Sequence, residues 1–239
     1  CSEMFVNGFL KLIEAGIIRR EVYGDTVLQQ MLNDGRLPSE VVTPETVRAL
    51  LAAGRIGTPL SEADVAFLKK IGILRAGVTL DGRELVLDGE RCSSDLADKE
   101  AFDKLCATML GARLIGGIYM TGGFFLGPND FYERLRTMPP QELAKIDMTR
   151  IDFINQLYGQ GDLKRAQRRK ARFMNTTMIA TLLGAVASDA LESGQVVSGV
   201  GGQYNFVAMA HALPDARLLM MLRATHDNKD GLKSSIVWN

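Results

Sequence analysis

Three glycines fall within four positions in the segment SGVGGQYNF, Ser198 to Phe206: Gly199, Gly201 and Gly202. An apolar-leaning run, Gln195-Val196-Val197, precedes them, and an apolar-periodic run from Phe206 to Leu213 follows. The order reads as strand, glycine turn, helix. Glycine accepts positive φ and lets backbone approach a ligand closely. A helix starting directly after such a turn offers unpaired N–H groups to an anion. The same pattern also describes a tight strand-to-helix turn with no ligand. A dinucleotide fold is excluded, because the spacing is not G-x-G-x-x-G and no acidic residue follows at the interval such a site uses. His211 and His226 make no triad, since no carboxylate and no Ser or Cys stand at matching spacing. Without H-x-x-x-H or C-x-x-C, no metal site is expected. Lys164 to Arg172 holds six basic residues, with no aromatic before Phe173. That argues against a stacking surface for RNA. It leaves a solvated basic face or a contact with phosphates.

The wider stretch NTTMIATLLGAVASDALESGQVVSGVGGQYNF, Asn175 to Phe206, resembles two segments of the acetyl-CoA hydrolase/transferase family. These are class I CoA-transferases similar to 4-hydroxybutyrate CoA-transferase, with the patterns N-[ST]-A-x-E-[VF]-D-x-x-G and S-G-x-G-G-[QS]-x-D-F. The second pattern is kept except that Asn205 stands where the family has Asp. In the first, Ile179 and Thr181 replace acidic residues. The start of the chain, SEMFVNGFLKLIEAG from Ser2 to Gly16, resembles the family's [ST]-E-M-x-x-[DN]-G-x-x-x-L-I-[ED]-x-G. The two resemblances occur in the family's order and cover both ends; the middle is mostly unlike it.

The resemblance implies a three-layer α/β fold around a mostly parallel sheet. It implies transfer of CoA between carboxylic acids, or hydrolysis of acetyl-CoA, through a glutamyl-CoA thioester. A carboxylate can attack a thioester and form a mixed anhydride, and the resemblance places that carboxylate at Glu3. Taken alone, Glu3 is an ordinary favourable charge before a helix. Gly202 is the counterpart of a backbone N–H donor for the thioester oxygen, which gains negative charge on attack. Asn155 matches the family's active-site Asn in its interval to Asn175; alone it reads as a turn residue at a strand end. Gly199, Gly201, Gln203 and Tyr204 are the expected contacts to the acyl group or the pantetheine. No cofactor is expected to stay bound, coenzyme A entering as acyl-CoA substrate. Expected partners are acyl-CoA, small carboxylic acids and further copies of the chain, with no nucleic acid and no membrane. The changes at Ile179, Thr181 and Asn205 keep a second reading open, a non-catalytic CoA-ester-binding or assembly module.

Several elements must position these residues. Phe5, Phe9, Leu10, Leu12, Ile13 and Ile17 recur at helical spacing, which predicts a helix over roughly Met4 to Ala15 stopped at Gly16. Cys1 to Glu3 then closes a strand and turns into that helix. From about Gly24 to Met109 the chain departs from the family, and residues 25–108 read as a mostly helical inserted subdomain. Within it Thr43-Pro44 and Ser61 start helices. Asp81-Gly82 between Val78-Thr79-Leu80 and Leu85-Val86-Leu87 predicts a hairpin with a type I′ turn. Ser94 or Asp95 opens a third helix reaching about Leu110. Strands are expected at Leu114 to Tyr119, Ile151 to Leu157, Met178 to Ala187 and Arg217 to Ala224, a helix capped by Asn129 or Asp130, and a turn at Asp227 to Gly231. The alternation argues an α/β fold.

Composition bounds the rest. The chain has 239 residues, 46% of them hydrophobic, and 28 basic residues against 28 acidic ones. A zero balance gives no global pull toward nucleic acid or anionic membrane. Cys1, Cys92 and Cys106 form no even disulfide set, which fits a reducing, cytoplasmic compartment. No apolar run reaches the ~18 residues of a membrane span. With a motif already at position 3 and a strand-like Ile236 to Asn239 at the end, a fragment of a longer chain is expected.

Overall fold

The computed structural model describes every residue except Pro38, Glu192, Asp230 and Asn239. The chain divides into two compact units. One comprises Cys1–Phe5, Gly122–Phe125 and Met148–Asn239, the other Val6–Thr121 and Leu126–Asp147.

The second unit is built on local signals that the sequence states clearly. Helix Pro44–Ala52 opens with a capping box between Thr43 and Thr46, and helix Glu62–Lys70 with one between Ser61 and Asp64. Such caps satisfy backbone donors that a helix start leaves orphaned. Val47 and Leu50 are fully buried, as are Leu28 and Met31 of helix Thr26–Asn33. Each such side chain contributes about 1.5–3 kcal/mol of burial. These residues belong to one apolar cluster running from Tyr23 to Leu114. The expected hairpin forms, but its register differs. Asp81 pairs with Glu84, so the loop is Gly82-Arg83. Gly82 has φ +61° and Arg83 does not share a positive φ, which rules out type I′. The Asp-Gly type I′ geometry occurs one turn later. There Leu87 pairs with Glu90 around Asp88 and Gly89, with φ of 50° and 87°. The added strand Glu90–Ser93 makes an antiparallel meander of three. The third helix runs Lys99–Thr108, capped by Asp98 rather than by Ser94 or Asp95. Residues 114–119 form no strand. They carry a single bridge, Val22 with Ile118, and strand Met120–Phe125 starts just after them. Helix Asn129–Thr137 follows Pro128 and has no side-chain cap from Asn129 or Asp130.

The first unit is mixed α/β with parallel and antiparallel strand pairs. Ser2–Phe5 is itself a strand, paired in parallel so that Ser2 lies opposite Gly122 and Phe5 opposite Phe125. Helix Asn7–Glu14 therefore starts three residues later than the periodicity predicts, and Gly16, at φ +66°, ends the segment. Strand pairing, with Phe5 buried against Phe125 at a ring distance of 5.7 Å, overrides local helix preference. Ile151–Asn155 is a short helix, not a strand. A brief apolar run satisfies either period, and here Ile154 and Asn155 turn inward together. Arg172–Thr176 and Arg217–Met221 pair in parallel beneath helix Gln203–Ala212.

Two further expectations in this unit are corrected. Met178 to Ala187 is not one strand buried on both faces. Gly184, at φ +92°, folds it into an antiparallel pair, Ile179–Thr181 with Val186–Ala187, and Leu182 and Leu183 point outward. Among the described residues no sheet strand leads into the glycine loop. Among the described residues Val196 makes only a bridge with Ala190, while Leu191 N–H bonds to Gln195 O and Val197 N–H to Asp189 O. The helix after Gly202 stands as read. His226 lies in hairpin strand Thr225–Asn228, paired with Gly231–Ser234. The expected turn at 227–231 and the strand at 236–239 each include one residue outside the described set. Among the described residues no helix is long and apolar enough to cross a membrane.

Candidate functional site

Glu3 sits in the strand Ser2–Phe5, directly opposite Gly123 of the neighbouring strand. A β-carbon on Gly123 would come within 3.0 Å of the Glu3 carbonyl oxygen, so the glycine leaves the room this pairing takes up. The strand fixes the Glu3 backbone while its carboxylate extends from it half-buried.

Asn155 ends the helix Ile151–Asn155 and is 8% exposed. Its Nδ2 donates a short hydrogen bond to Glu3 Oε1. Its Oδ1 is buried and has no partner among the described residues. An unsatisfied buried amide oxygen costs about 1–3 kcal/mol, which a ligand donor or water would recover. With Oε1 held, Glu3 Oε2 remains without a partner among the described residues.

Gly202 is the N-cap of helix Gln203–Ala212 and is itself buried. Its φ of −92° and ψ of 10° are open to any residue. Space, not conformation, calls for glycine here. A β-carbon on Gly202 would lie 2.8 Å from Glu3 Cδ and 2.9 Å from Asn155 Nδ2. The structure thus brings Glu3, Asn155 and Gly202 together across the whole length of the chain. A ten-residue helix presents its N-terminal end, with its partial positive charge, beside a carboxylate.

The remaining residues expected at the site divide. Gln203 is committed to the fold. It accepts from Asn175 Nδ2 at 3.2 Å and from Ser188 Oγ, and donates to Val186 O at 3.2 Å. These bonds pin the first helical turn to the strand Arg172–Thr176 and leave Gln203 little capacity for a substrate. Phe206 adds a ring contact to Phe173 at 5.8 Å. Tyr204 is 78% exposed on the same turn. Gly201 takes φ +55° and makes the turn, whereas Gly199 has open space around it.

Sequence reasoning missed the groups that hold Asn155. Lys164 and Arg168 are 3% and 7% exposed, not a solvated face. Lys164 Nζ donates to the carbonyls of Gln156 and Tyr158 at 2.9 and 2.8 Å and lies 4.8 Å from the Phe153 ring centre. Arg168 donates to Phe153 O at 2.8 Å. Burial lowers the pKa of Lys164, helped by the nearby Arg168 charge, and brings Arg168 down to about 10. Both cations therefore clamp backbone carbonyls on either side of Asn155, at the negative end of its helix. The signal was the four-residue interval between them, which puts two of the six basic residues on one helix face.

Residues 127–239 match the family described as acetyl-CoA hydrolase/transferase C-terminal domain. The match includes Asn155 and Gly199 to Tyr204; Glu3 lies before it. Among solved structures the chain is similar to RipA from Yersinia pestis and to mutants of RipA, at 26% identity and a TM-score of 0.39. The similarity covers 50% of this chain and 24% of RipA, so the chain spans about a quarter of that protein's length. No curated protein matches the chain.

Proposed function

We propose, from the acetyl-CoA hydrolase/transferase C-terminal domain carried by residues 127–239, that this chain is part of an acyl-CoA enzyme using Glu3 as its nucleophile. The observation that supports the reading is the meeting of Glu3, Asn155 and Gly202. Asn155 Nδ2 orients the Glu3 carboxylate through Oε1, and Oε2 attacks the acyl-CoA carbonyl carbon. The carbonyl oxygen becomes an oxyanion and is received by the Gly202 N–H at the helix start. Collapse expels CoA thiolate and leaves a mixed anhydride between Glu3 and the acyl group. The thiolate then attacks the Glu3 carbonyl carbon, releasing the first carboxylic acid as its anion and leaving a glutamyl-CoA thioester. An incoming carboxylate reverses the two steps and departs as the new acyl-CoA. Water in its place regenerates Glu3 and free CoA. No redox change and no metal is needed in either route.

In this reading acyl-CoA and small carboxylic acids are the substrates, coenzyme A does not remain bound, and the enzyme is a cytoplasmic homo-oligomer. The fold is the three-layer CoA-transferase type. Residues 25–108 are a subdomain inserted into it, serving packing, partner contact or a lid. A second reading, a CoA-ester-binding module without turnover, draws on Ile179, Thr181 and Asn205, which replace acidic residues of the family pattern. Ile179 and Thr181 lie in the strand Ile179–Thr181. The test is an assay of the intact protein with acetyl-CoA, with and without added carboxylic acids. Turnover supports the enzyme, acid-dependent turnover making it a transferase. Tight binding without turnover favours the module, and absence of binding contradicts both.

A further inference from the structure

The buried cation Arg168 is tied to two helices at once. Its Nη2 donates to Phe153 O at 2.8 Å, in the helix Ile151–Asn155 that ends on Asn155. Its Nη1 lies 2.8 Å from Met209 Sδ, in the helix Gln203–Ala212 that Gly202 caps. Met209 is itself buried, and its thioether is a weak acceptor. The two helices pack on each other, and one planar group touches both.

The helix Ile151–Asn155 has five residues. So short a helix has little stability of its own, since nucleation costs more than a single turn returns. Its place is set by what grips it. Arg168 satisfies a carbonyl in its last turn, which the helix end leaves orphaned. Lys164 holds the carbonyls just beyond, at Gln156 and Tyr158. Arg165 Nη1 donates at 2.8 Å to the carbonyl of Ala212, the last residue of the other helix. The basic segment that begins at Lys164 thus straps the helix of Asn155 to the helix of Gly202.

Stability alone does not ask for a guanidinium at this place. No carboxylate pairs with Arg168 among the described residues, and its Nε is buried without a partner there. Burial brings its pKa down to about 10, so it stays charged at neutral pH and carries a desolvation penalty. What arginine supplies, and an apolar residue cannot, is a pair of donors held in one fixed plane. Asn155 passes that geometry on. Its Nδ2 holds Glu3 Oε1, and Gly202 stands against both side chains.

Resting on the acyl-CoA reading above, we infer that Arg168 is a positioning residue of the reaction. Its two arms set the spacing between Asn155 and Gly202, and so between the Glu3 carboxylate that attacks and the N–H that receives the oxyanion. It acts through Asn155, not on the substrate.

The test uses the intact protein and acetyl-CoA. Arg168→Lys keeps the charge and loses the second arm, while Met209→Leu keeps the volume and removes one acceptor. In Arg168→Lys kcat should fall about tenfold to a hundredfold, the cost of a misplacement approaching 1 Å. KM should stay at the wild-type value. Met209→Leu should lose less, and the double variant no more than Arg168→Lys, because both changes cut one contact. A wild-type kcat in Arg168→Lys, a risen KM in place of the fallen kcat, or additive losses in the double variant would overturn the proposal. A second readout needs no turnover. In protein isotopically labelled on asparagine, the Nδ2 signal of Asn155, identified by its loss in Asn155→Ala, reports the bond to Glu3. Arg168→Lys and Met209→Leu should both move it toward the position it takes in Glu3→Ala. A wild-type position in both means that Arg168 serves the fold alone, which contradicts the inference. Should Arg168→Lys fail to fold, Met209→Leu carries both readouts. Should wild type turn over no acyl-CoA, the acyl-CoA reading fails, and the amide signal still decides whether Arg168 holds Asn155 on Glu3.

Discussion

Replacing the three loop glycines one at a time separates a packing requirement from a conformational one. In Gly202→Ala the new methyl sits 2.8 Å from Glu3 Cδ and 2.9 Å from Asn155 Nδ2. Comfortable contacts of this kind need about 3.5–4.0 Å. Glu3 Oε1 lies nearer still, so something must move by more than about 1 Å, and the side chains that move are Glu3 and Asn155. A misplacement of about 1 Å at a reacting group costs on the order of 10²-fold in rate. Overpacking of this kind costs about 1–3 kcal/mol of stability. The backbone adds nothing, because φ at position 202 is −92°. Gly199→Ala, with nothing within 4 Å and no positive φ, should be neutral in both respects. Gly201→Ala meets no atom but holds φ +55°, so it should cost about 1–2 kcal/mol of stability while the Glu3–Asn155 pair stays in place. Single-turnover release of acetate from acetyl-CoA gives the rates, and urea unfolding gives the stabilities. Wild-type release by Gly202→Ala, or equal damage from Gly199→Ala, would refute the reasoning.

Three other outcomes follow from the geometry. Asn155→Asp places a second carboxylate against Glu3, and like charges that close raise the pKa of one of the pair. Activity at neutral pH should fall, and the acid limb of the pH–rate profile should move upward, a shift that Asn155→Gln lacks. Lys164→Met leaves the carbonyls of Gln156 and Tyr158 without their donor, which should lower stability by about 1–3 kcal/mol in a urea titration. Burial pushes the Cys106 thiol up to about 11, against 9.0 when unfolded. The folded state holds that proton longer, so stability is full below pH 9 and declines between pH 9 and about 11. The decline should be shallower in Cys106→Ala, by urea midpoints at pH 8 and pH 10.5.

The meeting of Glu3, Asn155 and Gly202 was more legible than the elements that carry them. Gly202 before Gln203 to Ala212 was readable because a glycine cluster followed by an apolar-periodic run has few interpretations. Glu3 was placed in its motif and at the end of a strand, with the helix starting directly after it. That the strand runs on through Phe5 depends on pairing with Gly122 to Phe125, which no local pattern announces. Asn155 was found by its interval to Asn175, while the apolar run around it points to a strand where the structure has the short helix Ile151–Asn155. Met178 to Ala187 misled because hydrophobicity implies burial only on average. Gly184, at φ +92°, was the visible warning of a turn. Asp88-Gly89 carried the same dipeptide signal as Asp81-Gly82 and adopted the type I′ geometry that the first was assigned. Lys164 and Arg168 were read by composition, although their side chains satisfy buried carbonyls, a need set by the helix end that they close.

The central claim is that Glu3 becomes covalently bound to CoA. Incubating the intact protein with an acyl-CoA, reducing with borohydride and mapping peptides by mass spectrometry tests it directly. Borohydride reduces a glutamyl thioester to the alcohol, so the peptide carrying Glu3 should lose mass relative to the untreated peptide. Glu3→Gln should lose both that change and acyl exchange while still binding acyl-CoA. A mass change on another acidic residue, or full exchange by Glu3→Gln, would contradict the account.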